Sequence, residues 1–162
     1  MKAPFLLGRL VFGGFFLYNG VNHVLNHKQL AQYAAAKKIP LPEVAVAASG
    51  AAMIAGGGSI LLGIKPKLGT MAVMGFLAGV SPLMHDFWSH EEPSQRQAEM
   101  INFTKNMALL GAALALMGVE EPWPASVPVG QPGTLEKIDE VARGKFRNVT
   151  GGKIRRMSRF AA

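Results

Sequence analysis

Four long apolar stretches dominate the first 119 residues of the chain. They run near residues 4–25, 43–64, 68–88 and 99–119, and between them lie short polar connections rich in Pro, Lys and Glu. A helix needs about 20 residues, at 1.5 Å each, to cross roughly 30 Å of hydrocarbon. Because every stretch has that length, the pattern predicts an all-α fold, an integral membrane four-helix bundle.

Charge is segregated from this apolar part. The chain has 162 residues and a net charge of +7, and residues 120–162 hold eight of the 17 Lys and Arg. We therefore predict a transmembrane bundle over residues 1–119, followed over residues 120–162 by a Pro-rich linker and a basic, partly helical amphipathic tail. Four cations of the tail are candidate contacts for anionic lipid headgroups, each adding about 1 kcal/mol: Lys153, Arg155, Arg156 and Arg159. The tail carries no motif that favours nucleic acid.

Polar residues inside the apolar stretches mark the candidate site. A Lys at the centre of a membrane helix costs about 2.5–3.5 kcal/mol on insertion scales, so Lys105 should face a bundle interior, a wet cavity or a counter-charge. Since successive spans alternate direction, the ends of the first and third and the start of the fourth share one leaflet. This places His23, His85, Lys105 and Asn106 together as a polar cluster.

Two interpretations of this cluster stay open. In one, Lys105 and Asn106 donate hydrogen bonds to the carbonyl of a quinone, the ligand that the family resemblance described below implies, while His85 or His23 exchanges the proton. In the other, Lys105 snorkels towards the headgroups and only fixes the packing of the bundle. A b-type haem between His23 and His85 is a weaker alternative to quinone. No metal site is indicated, and no catalytic motif occurs on this chain alone.

The surroundings of the cluster are predicted with less specific signals. Residues 26–42 form either a short amphipathic helix over the cluster or a solvated connector. The loop residues His27 and His90 are expected to be solvated, and Asp86 to be the only carboxylate near Lys105. At the opposite leaflet, Arg9 should snorkel to the headgroups.

Small residues predict close helix packing. The second stretch contains Gly56, Gly57 and Gly58, and the third carries Gly75 and Gly79 four residues apart. Such spacing lets helices approach closely in lipid. We expect the glycines of the second stretch to serve packing rather than to line a substrate passage.

Several short motifs together resemble the DoxX family of four-helix membrane proteins over about residues 5–118. They are Arg9 with Gly13, Phe16 and Gly20, the Pro40-Leu41-Pro42 turn before the Gly-rich second span, His85 at the end of the third, and Lys105-Asn106-Met107-Ala108-Leu109 in the fourth. The family often carries a Glu in the second span, where this chain has Met53. That departure removes the natural partner of Lys105.

The resemblance implies a subunit of a larger, quinone-linked redox complex in the bacterial inner membrane, since one branch of the family belongs to a thiosulfate:quinone oxidoreductase. We expect an accessory or scaffold subunit, multi-pass, bound to other membrane-protein subunits, with both termini cytoplasmic because the basic tail suits the anionic cytoplasmic leaflet. The alternative is a self-contained membrane bundle that handles a small polar solute or a lipid.

Overall fold

The apolar stretches of the sequence are helices in the computed structural model, which describes residues 2–127. The elements are α1 (Lys2–Leu25), α2 (His27–Ala36), α3 (Pro42–Leu62), α4 (Pro66–Met84), a short 3-10 turn (Phe87–Ser89) and α5 (Pro93–Met117). No strand occurs in this described part. The predicted contacts of Lys153, Arg155, Arg156 and Arg159 lie outside it.

Four of these helices are long and apolar enough to cross a membrane, as the sequence pattern predicts. The candidate spans are Ala3–Leu25, Pro42–Leu62, Pro66–Ser89 and Pro93–Met117. The residues between the first two spans form a helix, α2, as one of the two interpretations expected. The all-α fold is therefore confirmed for the chain from Lys2 to Val127.

The fourth span begins about one and a half turns earlier than its apolar residues indicate. Glu92 caps the helix, because its carboxylate accepts hydrogen bonds from the amides of Ser94 and Gln95. Pro93 occupies the first helical position, where a missing N–H costs nothing. Polar residues from Ser94 to Glu99 thus lie on the helix rather than in the preceding loop.

Glycines bring α1 and α3 into backbone contact. A Cβ atom added at Gly57 would lie 2.5 Å from the amide nitrogen of Leu17 and 2.7 Å from the carbonyl oxygen of Gly13. Gly56 makes a similar approach to α4 at Gly69. The packing prediction holds for these two positions, although nothing lies within 4 Å of a Cβ added at Gly58.

A core of large side chains fills the interior between α1, α3 and α4. It contains Phe16, Met53, Ile60, Val73 and Leu77, all essentially inaccessible to solvent. In contrast, α5 packs mainly against α4 and the 3-10 turn, and of its residues only Ala113 is buried. The fourth span is therefore the least enclosed helix of the described bundle.

Residues 118–127, which we call the strap, fold back onto the end of the bundle that carries the N-terminus of α1. The strap holds Trp123, 2% exposed, edge-on to Phe5 with ring centroids 5.4 Å apart. Its last amide, that of Val127, donates to the carbonyl of Leu62 at 2.8 Å. Sequence reasoning assigned residues 120–127 to a Pro-rich linker, but they belong to the same compact unit as the helices.

The strap also explains the position of Arg9. Arg9 is 3% exposed, and its guanidinium donates to the carbonyl oxygens of Pro124 at 2.7 Å and Ala125 at 3.0 Å. The expectation that Arg9 snorkels to the headgroups is therefore wrong. Carbonyls of its own chain, brought in by the strap, take the place of lipid headgroups.

Candidate functional site

The end of the bundle opposite the strap collects most of its ionisable side chains. The C-terminus of α1, the whole of α2, the C-terminus of α4 and the N-terminus of α5 meet there. Alternating helix direction predicted this meeting of α1, α4 and α5. The structure adds α2, which packs on α3 through Ala31, Ala34 and Val46.

A network of five charged or titratable groups joins three of these elements. Lys37, just after α2, donates to the carboxylates of Asp86 at 3.2 Å and Glu99 at 2.9 Å. His85 contributes its Nδ1 to the second oxygen of Glu99 at 2.8 Å, and His90 Nε2 lies 3.7 Å from Asp86. We refer to these residues as the charge network. It ties the α2–α3 connection to the end of α4 and the start of α5.

Lys37 is the only lysine in the charge network, and its side chain is half-buried. Burial by itself lowers the pKa of Lys37, but the hydrogen bonds and charges of Glu99 and Asp86 outweigh that effect and raise the pKa above its usual value. Lys37 is therefore protonated at neutral pH. It balances two carboxylates that would otherwise repel each other.

Glu99 fixes the ring of His85. Because a carboxylate oxygen only accepts, Nδ1 of His85 carries the hydrogen in this contact. In the neutral ring Nε2 is then left as an acceptor, so the carboxylate determines which nitrogen is free. His85 is oriented by Glu99 of α5 and not by its neighbour in sequence, Asp86.

A groove of about 460 Å³ lies between α1 and α5, beside the charge network. Its polar wall consists of His85, Asn102, Lys105 and Asn106, and Phe15 of α1 faces them. Three of the four predicted cluster residues, His85, Lys105 and Asn106, thus line one groove. Lys105 is exposed and forms no ion pair with any residue from Lys2 to Val127.

His23, the fourth predicted residue, lines two other cavities: one bounded by Val24, Ala51 and Ile54, and a second one that α2 and α4 also line. This second cavity has a volume of about 330 Å³ and lies between α2, α3 and α4, with mostly apolar walls. Nδ1 of His23 contacts the carbonyl oxygen of Asn19 at 2.9 Å. Because His23 and His85 line separate cavities, the geometry gives no support to axial ligation of one haem by both.

Two expectations about the surroundings are corrected. Asp86 is not the only carboxylate at this end of the bundle, because Glu99 pairs with both Lys37 and His85. His90 is not solvated either, since it is half-buried against Asp86. His27 is partly exposed and its Nε2 lies 3.0 Å from the carbonyl oxygen of Glu43.

Sequence reasoning missed Lys37 and Glu99. Lys37 lies at the end of an amphipathic segment that was already suspected of covering the cluster, and Glu99 opens the fourth apolar stretch two turns before Asn106. Their opposite charges were the available signal. Their pairing depends on the path of the α2–α3 connection, which periodicity does not specify.

These features define a multi-pass membrane protein built as a helical bundle with a polar groove at one end. The family model described as DoxX matches residues 5–86. The chain belongs to the DoxX family. No curated protein and no solved structure matches the chain.

Proposed function

We propose that this DoxX protein is an accessory, non-catalytic subunit of a quinone-linked membrane redox complex, and that the groove between α1 and α5 receives a quinone headgroup. Electrons in this proposal come from a partner subunit. The quinone link rests on the family resemblance, and the place of binding rests on the groove.

The observation that carries the proposal is the exposure of α5. A helix surrounded by lipid should present apolar side chains, but α5 exposes Lys105 twelve residues after its first residue and places Asn102 and Asn106 beside it. An unpaired cation at such depth costs about 2.5–3.5 kcal/mol on insertion scales. A partner subunit or a polar ligand over the groove would supply the missing contacts.

The groove has the donors that a quinone needs. Lys105 offers an ammonium group and Asn106 an amide, and both can donate to carbonyl oxygens. His85 lines the same groove, and Glu99 holds its ring so that Nε2 can exchange a proton. Reduction of a quinone takes up protons along with electrons, so His85 and Glu99 would form a short path from the charge network to the ligand.

Location and further contacts belong to the same proposal. A bacterial inner membrane with both termini on the cytoplasmic side would put the basic residues Lys153, Arg155, Arg156 and Arg159 near anionic lipids. The groove and the charge network would then lie towards the opposite leaflet. Partner subunits would cover α5, the helix with the least buried surface.

The test compares complexes purified in a mild detergent from cells expressing wild-type protein, Lys105→Met or Lys28→Met. Lys28 is an exposed lysine on α2 and serves as the matched control. Mass spectrometry identifies co-purifying subunits, and solvent extraction measures quinone per mole of protein.

We expect redox subunits and quinone with the wild type and the control, and loss of quinone with Lys105→Met. Equal quinone content in all three proteins would refute the role of the groove. A wild-type protein that purifies alone and without quinone would refute the subunit proposal and favour a self-contained bundle for a solute or lipid.

A further inference from the structure

The cavity of about 330 Å³ lined by His23 has several small residues in its walls. Gly75 and Gly79 of α4 face open space, since nothing lies within 4 Å of a Cβ added at either position. Ala48 and Ala52 line the cavity from α3. The four-residue spacing of Gly75 and Gly79 is therefore not used for a helix contact within residues 2–127. Larger apolar side chains would fit at these positions, so the small residues keep space free.

One side chain gives this cavity a specific polar contact. The carbonyl oxygen of Asn19 only accepts, so Nδ1 of His23 donates to it and Nε2 of the neutral ring is an acceptor. Within residues 2–127, Nε2 has no hydrogen-bond partner. The hydroxyl of Ser49, also in the wall, is already used by the carbonyl of Val46 at 2.9 Å. A hydroxyl donor on a bound molecule would give this acceptor a partner.

The rim of the cavity is open towards the outside of the bundle. Tyr33 of α2 and Leu83 of α4 both line the cavity and are about half exposed. Phe76 stands inside, edge-on to the His23 ring with centroids 6.5 Å apart. The volume of about 330 Å³ is at the lower end of the range for small-molecule pockets.

We propose that this cavity binds a small apolar molecule that carries one hydroxyl group, of the size of a substituted phenol. The hydroxyl would donate to Nε2 of His23, and the ring would occupy the space beside Phe76, Gly75 and Gly79. A plain hydrocarbon chain would fill the volume but leave Nε2 unpaired. This site is separate from the groove that contains Lys105, and the inference does not rest on the proposed quinone role.

The experiment is photoaffinity labelling of the purified full-length protein in detergent. The probe is an alkylphenol that carries a diazirine, and labelled residues are mapped by mass spectrometry. Unlabelled para-butylphenol and its methyl ether, para-butylanisole, compete with the probe. The two competitors have nearly the same shape, but only the phenol has a hydroxyl hydrogen.

We expect labels on α3 and α4 within the cavity, and competition by the phenol at a concentration roughly tenfold lower than the ether, the worth of one hydrogen bond. Gly79→Leu should abolish the labelling by filling the space, whereas Gly111→Leu, the same change on an exposed position of α5, should leave it intact. His23→Leu should remove the advantage of the phenol over the ether.

Two results would overturn the proposal. One is equal competition by the phenol and the ether with the wild-type protein. The other is unchanged labelling of Gly79→Leu. Both remain readable if His23→Leu fails to fold.

Discussion

Arg9 should decide whether the strap stays on the bundle. Each hydrogen bond from a charged group contributes about 1.5–3 kcal/mol, so its two bonds to the carbonyls of Pro124 and Ala125 contribute roughly 3–6 kcal/mol. Burial of an aromatic side chain of 150–250 Å² at about 25 cal/mol per Å² gives roughly 4–6 kcal/mol for Trp123. The two contributions are similar. Removing Arg9 therefore removes one of the main contacts of the strap, leaving Trp123 and the backbone hydrogen bond from Val127 to Leu62.

We expect Arg9→Leu to release the strap while the helices stay folded. Leucine makes α1 more apolar, so insertion of the helix in lipid should not suffer. Trp123 can report the release, because it is 2% exposed while the only other tryptophan, Trp88, is 55% exposed. In a Trp88→Phe background, acrylamide should quench Trp123 weakly in the parent protein and several times more strongly after Arg9→Leu.

Arg96→Leu is the matched control, because Arg96 is an exposed arginine of α5. It should leave the quenching of Trp123 at the parent level. If Arg9→Leu also leaves Trp123 protected, burial of the indole alone holds the strap and the energetic argument for Arg9 is refuted. Loss of helical circular dichroism in Arg9→Leu would contradict the expectation of a local effect.

Two further predictions concern helix packing and the charge network. Gly57→Ala should lower the thermal unfolding temperature and the free energy of unfolding by about 1–3 kcal/mol, because its Cβ would meet the backbone of α1 at Leu17. Gly58→Ala should not lower the unfolding temperature, because its Cβ meets nothing within 4 Å. Equal unfolding temperatures for the two variants would refute the packing argument. Because the pKa of Lys37 is raised above 10.5 in the folded protein, its stabilising contribution is complete below that pH and is lost as the pH rises through the folded pKa. As the pH is raised through the folded pKa of Lys37, the unfolding temperature should fall more for the wild type than for Lys37→Met. Parallel plots of unfolding temperature against pH for the two proteins would contradict this.

The sequence pattern predicted the helices well because apolar length and periodicity are local properties. Alternating span direction also accounts for the meeting of His85, Lys105 and Asn106 at one end of the bundle, where they line one groove. What failed depends on contacts between distant segments. The partner of Arg9 lies 115 residues away in the strap, and Lys37 reaches Glu99 across 62 residues.

Glycine spacing shows a different limit of the sequence. Gly56 and Gly57 lie at helix contacts, whereas Gly75 and Gly79 have the spacing of a contact motif but line a cavity. The residue type is the same in both cases. Which face of α4 meets a neighbour is determined by the rotation of the packed helix, and α4 has several small residues on different faces.

The fourth span is fastened at its two ends and only lightly in between. Glu99 holds its start through the charge network, and the strap that follows its last turn is anchored by Arg9 and Trp123. α5 is therefore held by contacts at both of its ends. Moving α5 away from α1 requires the helix to bend or to rotate about its own axis, because tilting outwards would break the contacts at one of its ends. The width of the groove between α1 and α5 therefore depends on the contacts at both ends of α5.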